Sequence, residues 1–443
     1  MTPPNKSSFA IGAGAGFAGD RIEPAVAMAR SGQVDAIALE CLAERTLINA
    51  LKTRDSSGEG GYDPRLRRRL GPLLGALGGR CRVLTNLGAA NPAAAARSAR
   101  TLAREVGAAE LRIAAVLGDD VADRISDIAW TQSTEGGEWI GAHVYLGIEA
   151  MVEALAEGAD VVITGRVADS SLFAAAPVHA LGLSGDALAG ALTLGHLLEC
   201  AGQLSGGNLS EPGQPDLSAS DLARLGYPIG ELERDGTALI HLLDGEPGRI
   251  NAVTCTLQLL YEVHDPRAYI TPDAILDFSQ IQFEPIGANR IRMSGARAGP
   301  APAELKVVGF LARRGLVADI EIGYAGTGAL ERAQRAAEVL QIRLEATIAP
   351  ADLMIDLVGV NSVLGVASGR PKADPPEVRV HISGSCADAE LAQMIEDEVY
   401  TLTIAGPAGG CSVRSERRPR IETITGFIAR ERVEHRIDWG DEK

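Results

Sequence analysis

The sequence predicts an α/β fold, with a doubly wound, mostly parallel, Rossmann-like sheet and a smaller C-terminal α+β domain. Three observations predict it. Short runs of Val, Ile, Leu and Ala alternate with helical patterns, as strands buried on both faces of a parallel sheet do. These runs stop abruptly in polar or charged residues. From about Glu304 the order changes to strand-strand-helix, then strand-helix-strand.

Ser7 to Ile11 reads as the first strand and Gly12 to Arg21 as a glycine-rich loop. A helix follows from Ile22 to Arg30, with Pro24 in its first turn, where proline is tolerated. Ala36 to Leu39 is the second strand and ends in Glu40, with a helix from about Leu42. Arg54 to Pro64 reads as a Gly/Ser-rich surface loop. Arg82 to Thr85 is the third strand and ends in Asn86, after which Asn91 caps a helix opened by Pro92. Leu111 to Leu117 is the fourth strand, stopping at Gly118-Asp119-Asp120. After a helix from Gly147 to Glu157, the fifth strand runs through Val161 to Ile163 into Gly165-Arg166 and Asp169.

Gly185 to Gln203 is a long helical pattern. Thr237 to Asp265 mixes a short strand with a helix around Val253 to Val263. Leu305 to Phe310 and Val317 to Ile322 read as neighbouring strands, Gly328 to Leu340 and Asp388 to Leu402 as helices, and Val378 to Ile382 as a strand. The expected domains are a ligand-binding domain over 1–235, a connecting region packed on it over 236–303, and an α+β domain over 304–443.

A net charge of -16 disfavours nucleic acid and anionic membrane surfaces as partners. The six cysteines are scattered without a Cys-x-x-Cys pair, which favours reduced thiols in a cytoplasm over disulfides or a zinc ribbon. Met1 to Ser8 is polar, and Phe9 to Ala18 reads as too short and Gly-rich for a signal sequence or a membrane span, so neither is expected there. A homo-oligomer is expected.

Ligands of open α/β sheets bind at the carboxyl edge of the strands, so the strand-end residues are the candidates. The Gly14-x-Gly16-x-x-Gly19 loop, with Glu40 ending the next strand 21 residues later, outlines a dinucleotide fingerprint. Pro24 argues against it, because a fingerprint helix begins inside the glycines and would bury that proline in its interior. A general anion-binding loop and a close-packed crossover stay open. Gly14, Gly16, Asp20, Arg21, Glu44, Arg45, Asn86, Asn91, Asp169 and Gln203 are therefore taken as substrate-binding candidates beside Arg166. Turn and cap chemistry alone would also explain both asparagines.

Arg166 ends a strand before a helix N-terminus, a place suited to a bidentate grip on a carboxylate or phosphate; the alternative is an Arg166–Asp169 pair that stabilises a loop. Asp119 and Asp120 are candidates for a divalent metal, or for dipole-favoured acids at a helix start. Thr193, His196, Glu199, Cys200 and Gln203 share a helical face, making His196 and Glu199, with Glu40, the catalytic acid/base candidates. A solvent-facing polar stripe is the plain alternative.

The chain resembles the acyclic terpene utilisation protein A (AtuA) family. The resemblance rests on Gly14 to Asp20, Glu40 to Thr46, Thr85-Asn86, Gly88 to Pro92, Gly118-Asp119-Asp120 and Ile163 to Asp169. It continues through Gly195 to Cys200, Tyr261-Glu262, Tyr269 with Thr271 to Asp273, Ser294 to Arg297 and Gly406 to Gly410. It implies a part in catabolism of branched and terpenoid acids through acyl-CoA intermediates, near biotin carboxylases and enoyl-CoA hydratases. It implies no catalytic role for a given residue. His143 stands where the family usually has Asn. The Leu242 to Gly248 segment lacks a usual Lys and one Gly, and Cys411 replaces a Gly.

The first functional expectation is an enzyme acting on a carboxylate or CoA thioester, of hydratase, dehydratase or carbon-carbon lyase type. A non-catalytic partner of an acyl-CoA carboxylase and a nicotinamide-dependent oxidoreductase are the rivals. The absence of a Gly-x-Ser-x-Gly elbow or a P-loop weighs against serine hydrolases and NTPases.

Overall fold

A computed structural model describes residues 7–57, 59–79, 81–345, 353–369 and 375–440. The polar opening segment, 1–6, lies outside the described residues. The chain divides into two compact units, one of Met1–Gln132, Ile140–Gly309 and Ile424–Lys443, the other of Ser133–Trp139 and Phe310–Thr423.

The order begins β1 (Ser8–Ala15), α1 (Glu23–Ser31), β2 (Ala36–Leu39), α2 (Glu44–Ser57), α3 (Leu66–Leu74), β3 (Arg82–Thr85), α4 (Pro92–Glu105) and β4 (Ile113–Leu117). Next come β5 (Ala129–Trp130), β6 (Gly137–Val144), α5 (Glu149–Ala156), β7 (Val161–Ile163), α6 (Asp169–Leu181), α7 (Gly185–Leu198) and α8 (Ala219–Ala223). Then follow β8 (Ile229–Glu233), β9 (Ala238–His241), α9 (Ala252–Leu260), β10 (Tyr269–Ile270), β11 (Ile275–Asp277), β12 (Gln282–Gly287), β13 (Arg290–Ser294) and β14 (Arg297–Ala298). The rest is β15 (Glu304–Ala325), α10 (Ala329–Leu344), β16 (Leu353–Val358), β17 (Glu377–Cys386), α11 (Ala389–Ala405), β18 (Cys411–Ala429) and β19 (Arg436–Asp438).

The first unit is built on a ten-stranded sheet of order β12-β13-β9-β8-β1-β2-β3-β7-β4-β19. The strands β1-β2-β3-β7-β4 are parallel, and Val, Ile, Leu and Ala fill them because both faces are covered. On its other side β1 pairs with antiparallel β8, and β19 lies antiparallel on β4. The sheet is therefore mixed, which corrects the Rossmann-like, doubly wound, mostly parallel expectation: such a sheet continues in parallel on both sides of its first strand. The cause lies in residues 229–294. There β8 and β9, and β12 and β13, are hairpins turned at Gly236 and Asn289, both with positive φ, and short turns can join only antiparallel strands.

Two glycines expected in a loop are strand residues. Gly12 and Gly14 lie in β1, where a Cβ would meet Met28 or Ile37. Pro24 does sit in the first turn of α1, and Asn91 caps α4 by accepting the Ala94 N–H, a bond worth about 1 kcal/mol. The Arg54 to Pro64 loop expectation is corrected in part, since α2 runs to Ser57.

In the second unit β16, β17, β15 and β18 lie side by side, and α10 and α11 pack through Ala333, Leu340, Ile395 and Val399 on Ile320, Ile322, Val380 and Ile382. The two neighbouring strands expected over Leu305–Phe310 and Val317–Ile322 are one 22-residue strand, β15. Gly315 takes a positive φ within the strand, and Arg313 pairs with Glu422 at 2.7 Å. No helix among the described residues is long and apolar enough to cross a membrane.

Candidate functional site

The carboxyl edge of the parallel strands gathers most of the candidates. Glu40 follows β2 and is 8% exposed. Its Oε1 accepts the Leu42 N–H at 2.7 Å and the Asn86 side-chain N–H at 3.1 Å. Burial, then the charge of Asp169, push the Glu40 carboxyl up to about 8 against the opposing pull of Arg166. Asn86, at the end of β3, is fully buried; its Oδ1 accepts the Cys41 N–H at 2.7 Å.

Arg166 is 2% exposed and spends its guanidinium on the protein. Nε and Nη2 donate to the Val167 carbonyl at 2.9 and 2.6 Å, Nη1 donates to the Leu42 carbonyl, and Nη2 also donates to Asp169 Oδ1. The Tyr145 ring covers it at 4.7 Å. These contacts correct the expectation that Arg166 is an open clamp for a substrate anion. It ties the Glu40–Leu42 segment to the start of α6 and places positive charge behind Glu40 and Asp169. Burial raises the Asp169 carboxyl, and Arg166 only partly offsets that rise.

Asp119 lies behind this layer. Its Oδ2 accepts the Arg166 backbone N–H at 2.8 Å and meets His143 Nδ1 at 2.9 Å, while Asp120 pairs with Arg54 at 2.6 Å. The neighbouring carboxylates serve different partners, and no group of three or more His, Cys, Asp or Glu among the described residues is arranged for a metal ion.

His196 and Glu199 close the other wall. His196 is 1% exposed, so it does not belong to a solvent-facing stripe. Its ring lies 4.8 Å from Tyr269 and 5.8 Å from Phe278; Nδ1 meets Glu199 Oε1 at 2.9 Å and Nε2 donates to the Leu259 carbonyl at 3.2 Å. Burial lowers the His196 pKa, but the Glu199 carboxylate, the Leu259 carbonyl and Glu262 together reverse this and leave it raised; Glu199 is raised by its own burial. The proton between them belongs to the pair. Both ring nitrogens are occupied, whereas Glu199 Oε2 is buried and without a partner among the described residues. Glu199 stands close enough to Asp169 for their charges to repel, which joins the two walls.

The remaining candidates separate. Glu44 accepts the Tyr145 hydroxyl at 2.7 Å; burial pushes its carboxyl up, but this bond, the backbone and the charges of Arg166 and Lys306 together hold Glu44 below the usual range. Arg45 is exposed at the start of α2. Gly16 packs on the Cys200 backbone, where a Cβ would stand 2.4 Å from its carbonyl carbon, so it fixes the approach of β1 to the end of α7. Gly14 lies inside β1 against Ile37 and Leu39 and does not line the edge. Asp20 accepts the Gly16 and Arg21 N–H groups and the Tyr227 hydroxyl, and Arg21 donates to the Ala223 and Leu225 carbonyls. Asn91 is a cap. Gln203 leaves the His196 face because α7 stops at Leu198.

Sequence reasoning gave no site role to Tyr145, to the tilted pair Tyr269 and Phe278, or to Glu262. Glu262 holds a left-handed φ of 59° without being glycine and acts electrostatically on Asp169, His196 and Glu199.

The family model described as acyclic terpene utilisation family protein AtuA matches residues 9–439. The chain belongs to the AtuA family. Membership implies a role in acyclic terpene utilisation. The AtuA match extends across the strand ends that hold Glu40, Asn86 and Arg166 as well as the α7 end that holds His196 and Glu199. The comparisons found no match among curated proteins and none among solved structures.

Proposed function

We propose that this AtuA protein is an enzyme of branched or terpenoid acid catabolism that moves a proton at the carbon next to a carboxylate or CoA-thioester carbonyl. Hydration, dehydration and carbon-carbon cleavage all turn on that step. The observation that carries the reading is the Glu40 carboxyl, pushed up to about 8 at the ligand-binding edge of the sheet. A carboxyl with that pKa holds its proton at neutral pH and can give it to a leaving hydroxyl or take it back. Glu199, coupled to His196, is the complementary base on the opposite wall. Arg166 and Asn86 are positioning residues, since their polar atoms bond protein groups around Glu40.

The test is proton exchange in deuterated water with branched acids and their CoA thioesters, followed by mass spectrometry. Exchange at the α-carbon that is lost in Glu40→Gln and Glu199→Gln is the expected result. Absence of exchange with every branched acid and thioester would overturn the reading.

A further inference from the structure

We propose a second ligand site, for a phosphate-type oxyanion, in the cavity between the start of α1 and the arginines that open α3. The cavity measures about 180 Å³ and is lined by Arg65, Arg68 and Arg69 and by the segment from Gly19 to Glu23. Its decisive feature is Arg69, only 3% exposed. Arg69 Nη2 donates to the Ala18 carbonyl at 2.6 Å, and more weakly to Phe17 at 3.4 Å. Its Nε and Nη1 are buried and have no partner among the described residues. A guanidinium taken out of water with two nitrogens unsatisfied is costly, and an oxyanion supplies the acceptors it lacks.

Three surrounding features favour the same ligand. Arg65 and Arg68 are exposed beside Arg69, in a chain whose net charge is -16. The two carboxylates at the rim, Asp20 and Glu23, are outnumbered, and both Asp20 oxygens are held by Gly16, Arg21 and Tyr227. Helix α1 also begins here, with no side-chain cap at Ile22, so its first-turn N–H groups and dipole favour a negative group. The site is distinct from the Glu40 wall and stands without the acyl-CoA reading. Phosphate groups of coenzyme A and free phosphate esters share the required chemistry.

The experiment is calorimetric titration of the full chain with inorganic phosphate, coenzyme A and isovalerate, for the wild type, Arg69→Met and Arg68→Glu. Saturable phosphate binding in the wild type, weakened at least about ten-fold in both variants, is expected. Arg69→Met should keep or raise the thermal midpoint, because it removes an unsatisfied buried charge. Arg68→Glu changes only an exposed side chain and guards against a folding defect. Tighter, Arg69-dependent binding of coenzyme A would assign the site to its phosphates. Phosphate binding without coenzyme A binding would keep the site and count against the acyl-CoA reading. The proposal fails if neither phosphate nor coenzyme A binds saturably at millimolar concentration. It fails equally if both variants bind phosphate like the wild type, or if only isovalerate binds.

Discussion

Asn86 holds Glu40 and the chain beyond it with one side chain: its amide N–H reaches Glu40 Oε1 at 3.1 Å and its oxygen takes the Cys41 N–H at 2.7 Å. With Leu42 N–H on the same Oε1, the carboxyl is fixed through one oxygen. The other oxygen has no hydrogen-bond partner among the described residues, which suits a proton donor.

Glu40→Gln should lower turnover by about 10²–10⁴-fold with little change in affinity. It should also change the pH dependence of stability. The folded chain keeps a proton on Glu40 between 4.5 and about 8 that the unfolded chain has released. The group's contribution is therefore full below 4.5 and is lost as pH rises to about 8, with a slope of up to about 1.4 kcal/mol per pH unit. Denaturant unfolding across that range should show a shallower fall for Glu40→Gln. An unchanged slope would mean that Glu40 does not hold the proton.

Arg166→Lys should cost about 2–4 kcal/mol of stability. Lysine keeps the charge but cannot reach the Val167 and Leu42 carbonyls and Asp169 together. The unfolding midpoint in urea measures this, and a wild-type midpoint would contradict a structural role for the guanidinium.

The His196 pKa should fall when its partner is removed. In the wild type burial lowers it, but the Glu199 charge and hydrogen bond, with the Leu259 carbonyl and Glu262, together leave it raised; Glu199→Gln removes the largest of the raising contributions. The stabilising contribution of the protonated ring is full below 6.5 and is lost as pH rises through the raised value. Imidazole NMR titration of the two proteins reads both. A His196 that titrates identically in the two would rule out the pair.

Gly16→Ala should destabilise by about 1–3 kcal/mol, since the new Cβ would overlap the Cys200 backbone. Gly71→Ala in α3 meets only ordinary contact with Leu102 at 3.6 Å and should be neutral or slightly stabilising. Thermal midpoints of the two variants make the comparison, and equal midpoints would remove Gly16 from the packing between β1 and the end of α7.

The parallel strands and the polar residues that end them were legible because each strand is a short apolar run stopped by a charge or an amide. Glu40, Asn86 and Arg166 were found that way. What each side chain does there was not legible. Arg166 looks the same in sequence whether its N–H groups face a ligand or the Leu42 carbonyl, a partner 124 residues away. The antiparallel hairpins were missed because their strands are only a few residues long and β12 is largely exposed, so the apolar signal is weak. Tyr145 and Glu262 end no apolar strand run and fall on no helical stripe, so only tertiary contact gives them a place at the site.

The position of β1 has a consequence for synthesis. Its β2 neighbour emerges from the ribosome within a few dozen residues, but β8, which pairs with its other edge, follows more than two hundred residues later. At about 5–20 residues per second that edge stays open for roughly 10–40 s. A long unpaired apolar edge is a template for association with other chains, so β1 on a nascent polypeptide is where chaperone binding or aggregation would begin. Slower translation through residues 16–228 would lengthen that window without altering the finished fold.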